Sequence, residues 1–266
     1  MPAPWRTIEL IRVHDGGRRE DTDRAATEAP LAIRVQGEPF VITMRTPGDD
    51  ASLAAGFLLS EQVVKHADEI AGIEVDPGGD TVDVRLAGDA PARLAARAAE
   101  RRQVTATSAC GVCGRPTLDA LRTDAAPLTD GWTVPASLVA SLPDRLRAAQ
   151  AVFDHTGGLH AAGLFALDGT LVHSAEDVGR HNAVDKVVGR QVLAGAVPLG
   201  THILCVSGRA SFELVQKAVL AGIPVLVAVS APSTLAIDLA EERGLTLAGF
   251  TRGDGFNLYT HPHRIA

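Results

Sequence analysis

Cys110 and Cys113 lie two residues apart in the run Thr107-Ser108-Ala109-Cys110-Gly111-Val112-Cys113-Gly114-Arg115. A thiolate is the most reactive nucleophile an ordinary side chain offers. It is favoured by nearby positive charge and by a helix start. Arg115 supplies the charge, and Pro116 suits a first helical position. Four uses fit this spacing. The pair can be small turn or core residues. It can be half of a zinc site completed by His155 and His160. It can be a thioredoxin-like dithiol, which needs the motif to open a helix directly after a strand. Or it can be a loop thiolate that accepts a group such as sulfur and hands it on by exchange. Spacing alone leaves all four open.

A second concentration of chemistry is Glu176-Asp177-Val178-Gly179-Arg180-His181-Asn182-Ala183-Val184-Asp185-Lys186. His181 and Asn182 are residue types that can meet a planar heterocycle, although a lone His is as often a hydrogen-bonded helix residue. A third is a pair of matching turns, Val206-Ser207-Gly208-Arg209-Ala210-Ser211 and Val229-Ser230-Ala231-Pro232-Ser233. Each runs from an apolar strand through small residues into a helix. Such turns lie at the carboxyl ends of parallel strands, where open α/β sheets bind ligands, and their backbone N–H groups suit an anion. Thr251-Arg252-Gly253-Asp254-Gly255 adds an arginine and two glycines after a third strand. A phosphorylated, nucleotide-like ligand fits this edge.

The elements that must position these groups follow from pattern. Polar residues 16–28 read as an exposed loop, and 31–35 with 40–44 as a hairpin around Gly37. Asp50 is expected to cap a helix through Leu53, Phe57, Leu58 and Val63. A second hairpin spans 70–75 and 82–86, and a helix spans 92–100. Residues 125–133 form a connector before a helix over 135–153. Strands over 159–167 and 170–174 turn at Asp168-Gly169, and Glu176-Asp177 open a helix reaching Val188. Thereafter strands at 203–206, 224–229 and 245–250 alternate with helices at 212–221 and 233–243. Ser211 and Ser233 begin these helices, and Gly222 and Gly244 end them. This alternation predicts a mostly parallel sheet.

The chain of 266 residues is 46% hydrophobic and 21% charged, a globular composition with room for two domains. The expected division is a flexible segment 1–29, a smaller α+β domain 30–134 carrying the Cys-x-x-Cys loop, and an α/β domain 135–266. A net charge of -7 argues against a nucleic-acid duplex as the main ligand. No apolar run approaches the ~18 residues of a spanning helix, and the start lacks a secretory pattern. Three cysteines suit a reducing compartment, so the expected location is the cytoplasm, with no membrane or nucleic-acid partner.

Several long motifs, in order, resemble one family. They are Ser108-Ala109-Cys110-Gly111-Val112-Cys113-Gly114, His155-Thr156-Gly157-Gly158-Leu159-His160-Ala161-Ala162, the run from Glu176 to Lys186, and Ser207-Gly208-Arg209-Ala210-Ser211-Phe212-Glu213. Met44-Arg45-Thr46-Pro47-Gly48-Asp49-Asp50 and Gly56-Phe57-Leu58-Leu59-Ser60-Glu61 fit as well. From about residue 30 onward the chain is similar to the formate dehydrogenase accessory sulfurtransferases, the FdhD-type sulfur carriers. That resemblance implies cytoplasmic homodimers that take sulfur from a cysteine desulfurase as a persulfide on the Cys-x-x-Cys loop. It implies delivery to a molybdenum cofactor, bis-molybdopterin guanine dinucleotide, which formate dehydrogenase needs. It makes Cys110 the persulfide carrier and Cys113 its helper. It also places cofactor contacts on Phe250, Thr251, Arg252, Gly253, Asp254 and Gly255, beside the anion-suited Ser207, Gly208 and Arg209 and the heterocycle-suited His181. Guanine nucleotides are expected to mimic the cofactor's ends.

The resemblance also implies a cytidine-deaminase-like α/β/α fold for the second domain. Zinc deaminases carry His/Cys-x-Glu at one helix and Pro-Cys-x-x-Cys at the next. Here the corresponding places read Arg180-His181-Asn182-Ala183 and Ser207-Gly208-Arg209-Ala210-Ser211, and Cys205 lies alone in an apolar strand. The expectation is the fold without a metal. The alternatives are a cofactor-binding chaperone with incidental cysteines and, more remotely, a zinc-dependent hydrolase.

Overall fold

A computed structural model describes residues 3–101, 125–129 and 131–266, with the side chains of 98–101 excepted. Cys110 and Cys113 lie outside the described residues.

The chain begins with a two-stranded antiparallel ribbon, β1 (Trp5–His14) and β2 (Gly17–Ala26). The loop expected over 16–28 is therefore largely strand. Its charged residues give no alternation to read, because backbone pairing holds the ribbon and most of its side chains face water. Next come β3 (Ala29–Val35), β4 (Glu38–Arg45), α1 (Asp50–Ser60), β5 (Ile70–Val75), β6 (Thr81–Leu86) and α2 (Ala90–Arg101). The four strands form one sheet in the order β4-β3-β6-β5. Both expected hairpins are present, and β3 pairs with β6 in parallel.

The second half contains α3 (Ala136–Ala148), α4 (Ala151–Thr156), β7 (His160–Ala166), β8 (Leu171–Asp177), α5 (Arg180–Leu193), β9 (His202–Val206), α6 (Phe212–Leu220), β10 (Val225–Ala228), α7 (Thr234–Arg243), β11 (Thr246–Arg252) and β12 (Gly255–Thr260). Its six strands run β12-β11-β10-β9-β7-β8. Only β9–β10 and β10–β11 are parallel among the five pairings, so the sheet is mixed where a mostly parallel one was expected. The reason is topological. The β8–α5–β9 connection is a parallel crossover, but β7 sits between those two strands and opposes both.

Alternation along the strands splits the sheet into two apolar faces. Leu164, Leu204, Leu226 and Leu247 face a core shared with α5, α6 and α7, and Phe165, Ile203, Val225 and Val227 face α3. The sheet is thus sandwiched between helices. The first of these cores continues without a break into Leu31, Ile33, Leu53, Leu58, Val82 and Val84 of the N-terminal half.

The junction is the crossing of α1 and α5. A Cβ on Gly189 would sit 1.8 Å from the Ser52 carbonyl oxygen, and one on Gly56 would sit 2.0 Å from that of Asp185. Only glycine lets the two backbones touch. Buried ion pairs flank the crossing. Lys217 Nζ lies 2.6 and 2.8 Å from the Asp185 carboxylate, which also accepts from Ser60 Oγ at 2.9 Å. Arg45 donates to both Asp50 oxygens, at 2.9 and 3.1 Å, and to the Gly79 carbonyl at 2.6 Å. Asp50 therefore serves as a buried counter-ion for Arg45; the N-cap position belongs to Asp49, in a left-handed conformation.

Candidate functional site

Strands β8, β9, β10 and β11 all point the same way, while β7 and β12 run against them. The ends of the first four and the beginnings of the other two therefore make one edge. Every described residue of the expected site falls on it. His181 follows β8, Ser207, Gly208 and Arg209 follow β9, and Phe250 to Gly255 span the β11–β12 turn. From β8 to β11 is four strand spacings, about 19 Å.

The β8 end rests on a buried network. Strand β8 runs on through Asp177, opposite His160, so Glu176 and Asp177 are not the helix start expected for them; α5 begins at Arg180. Asp177 is fully buried. It pairs with Lys186 Nζ at 2.7 Å and accepts from the N–H groups of Thr46 and Gly179 and from Asn182 Nδ2. Asn182 also donates to the Met44 carbonyl at 2.7 Å, and Lys186 to the Thr46 carbonyl at 2.8 Å. Asn182 is thus consumed in tying β4 to α5 and is not a heterocycle contact. Glu176 reaches back to α4 and accepts from the N–H groups of Val152 and Phe153, capping that helix from across the chain.

On this base stands a cluster of titratable groups. His181 Nε2 lies 3.4 Å from Ser211 Oγ and 3.7 Å from the Glu213 carboxylate. Ser211 occupies the N-cap of α6 without capping it through its side chain. Its hydroxyl faces His181 instead. The His181 contact, with help from Ser211, holds the Glu213 carboxyl down to about 2. His160 stands at the start of β7, between Asp177 on β8 and the Ser207 turn after β9. Ser207 Oγ accepts from the Ala161 N–H at 2.9 Å, and the His160 ring lies against Gly208, where a Cβ would touch it at 3.5 Å. Burial lowers the His160 pKa, and the neighbouring Arg180 and His181 lower it further. The Arg180 Nε is enclosed with no hydrogen-bond partner among the described residues. Sequence reading missed His160, Arg180, Ser211 and Glu213 as members of this site. The one available signal was that each lies within a motif already singled out.

Strand ends are stitched together along the middle of the edge. Ser230 N–H donates to the Gly208 carbonyl, Ala210 N–H to that of Ala231, and Ser233 N–H to that of Ala210. The two echoing turns therefore fix each other. Ser233 also caps α7 through the Ala236 N–H, and Gly244 ends that helix in a left-handed conformation, both as expected.

The β11–β12 end differs. Phe250 is exposed and has a φ of 53°, unusual for a bulky residue. Arg252 is exposed, its Nε donating to the Val229 carbonyl at 3.3 Å. Gly253 (φ 58°) and Asp254 form a two-residue turn between the paired Arg252 and Gly255. Thr251 is fully buried, its hydroxyl without a partner among the described residues.

Cys205 is the one cysteine among the described residues. It is fully buried, and burial pushes its thiol well above the ordinary range, so it is an inert core residue. Nucleophilic sulfur chemistry is left to Cys110 and Cys113. Among the described residues no three His, Cys, Asp or Glu side chains are grouped to hold a metal ion. His155, weighed as a zinc ligand, instead accepts from Arg24 at 2.8 Å and packs against Trp5. Nor is any helix among the described residues long and apolar enough to cross a membrane.

Fold and site together define a mixed α/β protein with a polar, cation-bearing sheet edge and a dithiol segment. Comparison with known proteins narrows that class. A model of the FdhD/NarQ family matches residues 26–266, and the chain belongs to this family. It is 54% identical over 272 residues to the sulfur carrier protein FdhD of Streptomyces avermitilis, covering 97% of this chain and 94% of the relative. It is 43% identical over 271 residues to the sulfur carrier protein FdhD of Saccharolobus solfataricus, covering 100% of both. Among solved structures, a putative formate dehydrogenase accessory protein from Desulfotalea psychrophila matches with a TM-score of 0.80 at 27% identity, covering 99% of this chain and 100% of the other.

Proposed function

We propose that this protein is a sulfur carrier that matures formate dehydrogenase in the cytoplasm. The observation that carries the reading is its near full-length identity to proteins named as sulfur carriers, joined to a Cys-x-x-Cys segment in a chain whose other cysteine is buried and inert. The Cys110 thiolate attacks the outer sulfur of a cysteine desulfurase persulfide. The donor's S–S bond breaks, its thiolate leaves, and Cys110 holds the persulfide. Cys113 then attacks the Cys110 Sγ, so that sulfide departs and a Cys110–Cys113 disulfide forms. The dithiol supplies the two electrons, and a cellular thiol must reopen the disulfide before the next turn.

The substrate that receives the sulfide is the bis-guanine-dinucleotide molybdenum cofactor. Its nucleotide ends rest on the sheet edge, at Ser207, Gly208, Arg209 and His181 and at Phe250, Thr251, Arg252, Gly253, Asp254 and Gly255. A phosphorylated ligand suits that edge because backbone turns and cationic side chains line it. The second half, 135–266, is read as a cytidine-deaminase-like unit that has kept its ligand edge without metal chemistry, and the protein as a homodimer that meets both a desulfurase and the formate dehydrogenase apoprotein. Cells lacking the protein test this. The Cys110→Ala/Cys113→Ala double variant should leave formate dehydrogenase inactive at normal carrier abundance. Full activity from that variant would remove sulfur transfer from the function.

A further inference from the structure

We infer that His160, Arg180 and His181 form a phosphoryl seat at the β8–β7–β9 end of the sheet edge, with Arg180 as its principal ligand. The inference rests on the edge being a nucleotide site and assigns to it two residues, His160 and Arg180, that lie within the sequence motifs but were not expected at this edge.

Three strand ends converge to build the seat. His160 starts β7, Arg180 and His181 follow β8, and Gly208 follows β9. Pairing of His160 with Asp177, and of Ala162 with Val206, brings these ends side by side. Nearby negative charge is already committed. Asp177 is spent on Lys186, Asn182 and two backbone N–H groups. Glu213 is engaged by His181 and Ser211. Among the described residues Arg180 has no carboxylate of its own, and its Nε is shut away from water without a hydrogen-bond partner. A guanidinium left this way costs free energy until an acceptor arrives. The half-buried His160 ring also makes no hydrogen bond among the described residues, and it lies against the Gly208 turn, where a Cβ would touch the ring at 3.5 Å. A tetrahedral oxyanion supplies what Arg180 and His160 lack. It offers several acceptor oxygens, negative charge for the arginine fork, and a reason for the imidazole to hold a proton. A neutral planar ring would bring no charge to the Arg180 guanidinium.

The test is calorimetric titration of the full chain with inorganic pyrophosphate, GDP and guanosine, followed by histidine NMR. Wild type should bind pyrophosphate and GDP, and GDP more tightly. Arg180→Gln should weaken both by about tenfold or more, the loss expected of a charge-assisted hydrogen bond, while leaving guanosine binding as it was. His160→Asn, a milder change should Arg180→Gln fail to fold, should weaken pyrophosphate a fewfold. On wild type, saturating pyrophosphate should move the His160 ring signals and raise its pKa toward that of an ordinary imidazole, because a neighbouring anion favours the charged form. The inference is overturned if pyrophosphate leaves the His160 signals unmoved, or if folded Arg180→Gln binds pyrophosphate and GDP like wild type. GDP binding without any pyrophosphate binding would also overturn it, while leaving the nucleotide edge intact. Sulfur loading of Cys110, measured separately, stands or falls independently of all these outcomes.

Discussion

The two ends of the proposed ligand edge are built on opposite principles. At the β7–β9 end the reactive groups sit on buried supports. Asp177 and Lys186 are almost fully enclosed, and Asn182 and Thr46 lock the start of α5 to the N-terminal sheet. At the β11–β12 end Phe250 and Arg252 are exposed on a tight turn, and the backbone at Phe250 holds an uncommon conformation. A rigid, charged seat discriminates by geometry and by unsatisfied polar atoms. An exposed aromatic and arginine discriminate less and adapt more. One end of this edge is suited to fixing a ligand's charge, the other to closing over its remaining surface.

The comparison can be broken first at its foundation. Lys186→Met leaves Asp177 buried without its cation and should cost about 3–5 kcal/mol of stability, read as a large drop in the denaturant midpoint. A mild change would mean that the network is not what holds α5. Gly189→Ala attacks the same helix from its other side. The added carbon meets the Ser52 carbonyl, and a backbone cannot step aside as a side chain can. The expected loss is about 3 kcal/mol, even after the gain Ala brings to a helix. At the exposed end, Arg252→Ala should leave the melting temperature unchanged and weaken GDP binding about three- to tenfold. A loss of stability there would contradict its exposed placement. The smallest effect is the pH dependence of Glu213. Its folded pKa lies below the unfolded one, so its contribution is present above about pH 4.3 and is lost as pH falls toward 2. Glu213→Gln should flatten the stability profile in that window and nowhere else.

What the sequence disclosed was local. Gly37, Gly79 and Asp168-Gly169 mark real hairpins because turn chemistry is contained in a few adjacent residues. Ser233 and Gly244 bound α7 for the same reason. What it hid depends on distant partners. Residues 176 and 177 look like a helix start, but pairing with His160 and Ala161 holds them in a strand. The helix expected over 135–153 breaks at Gln150, where Glu176 caps a new one from across the chain. Asp50 resembles a cap until Arg45 claims it. The site followed the same rule. Ser207, Gly208, Arg209 and His181 stood out as site residues, whereas His160, within another motif, joins them only through the order of strands in the sheet.

The central claim is that Cys110 carries sulfur, and intact mass spectrometry tests it most directly. Purified protein is incubated with a cysteine desulfurase and cysteine, then weighed without reductant and again after it. Wild type should gain the mass of one sulfur atom and lose it to the reductant, and Cys110→Ala should gain nothing. No added sulfur on wild type, or undiminished loading of Cys110→Ala, would contradict the account.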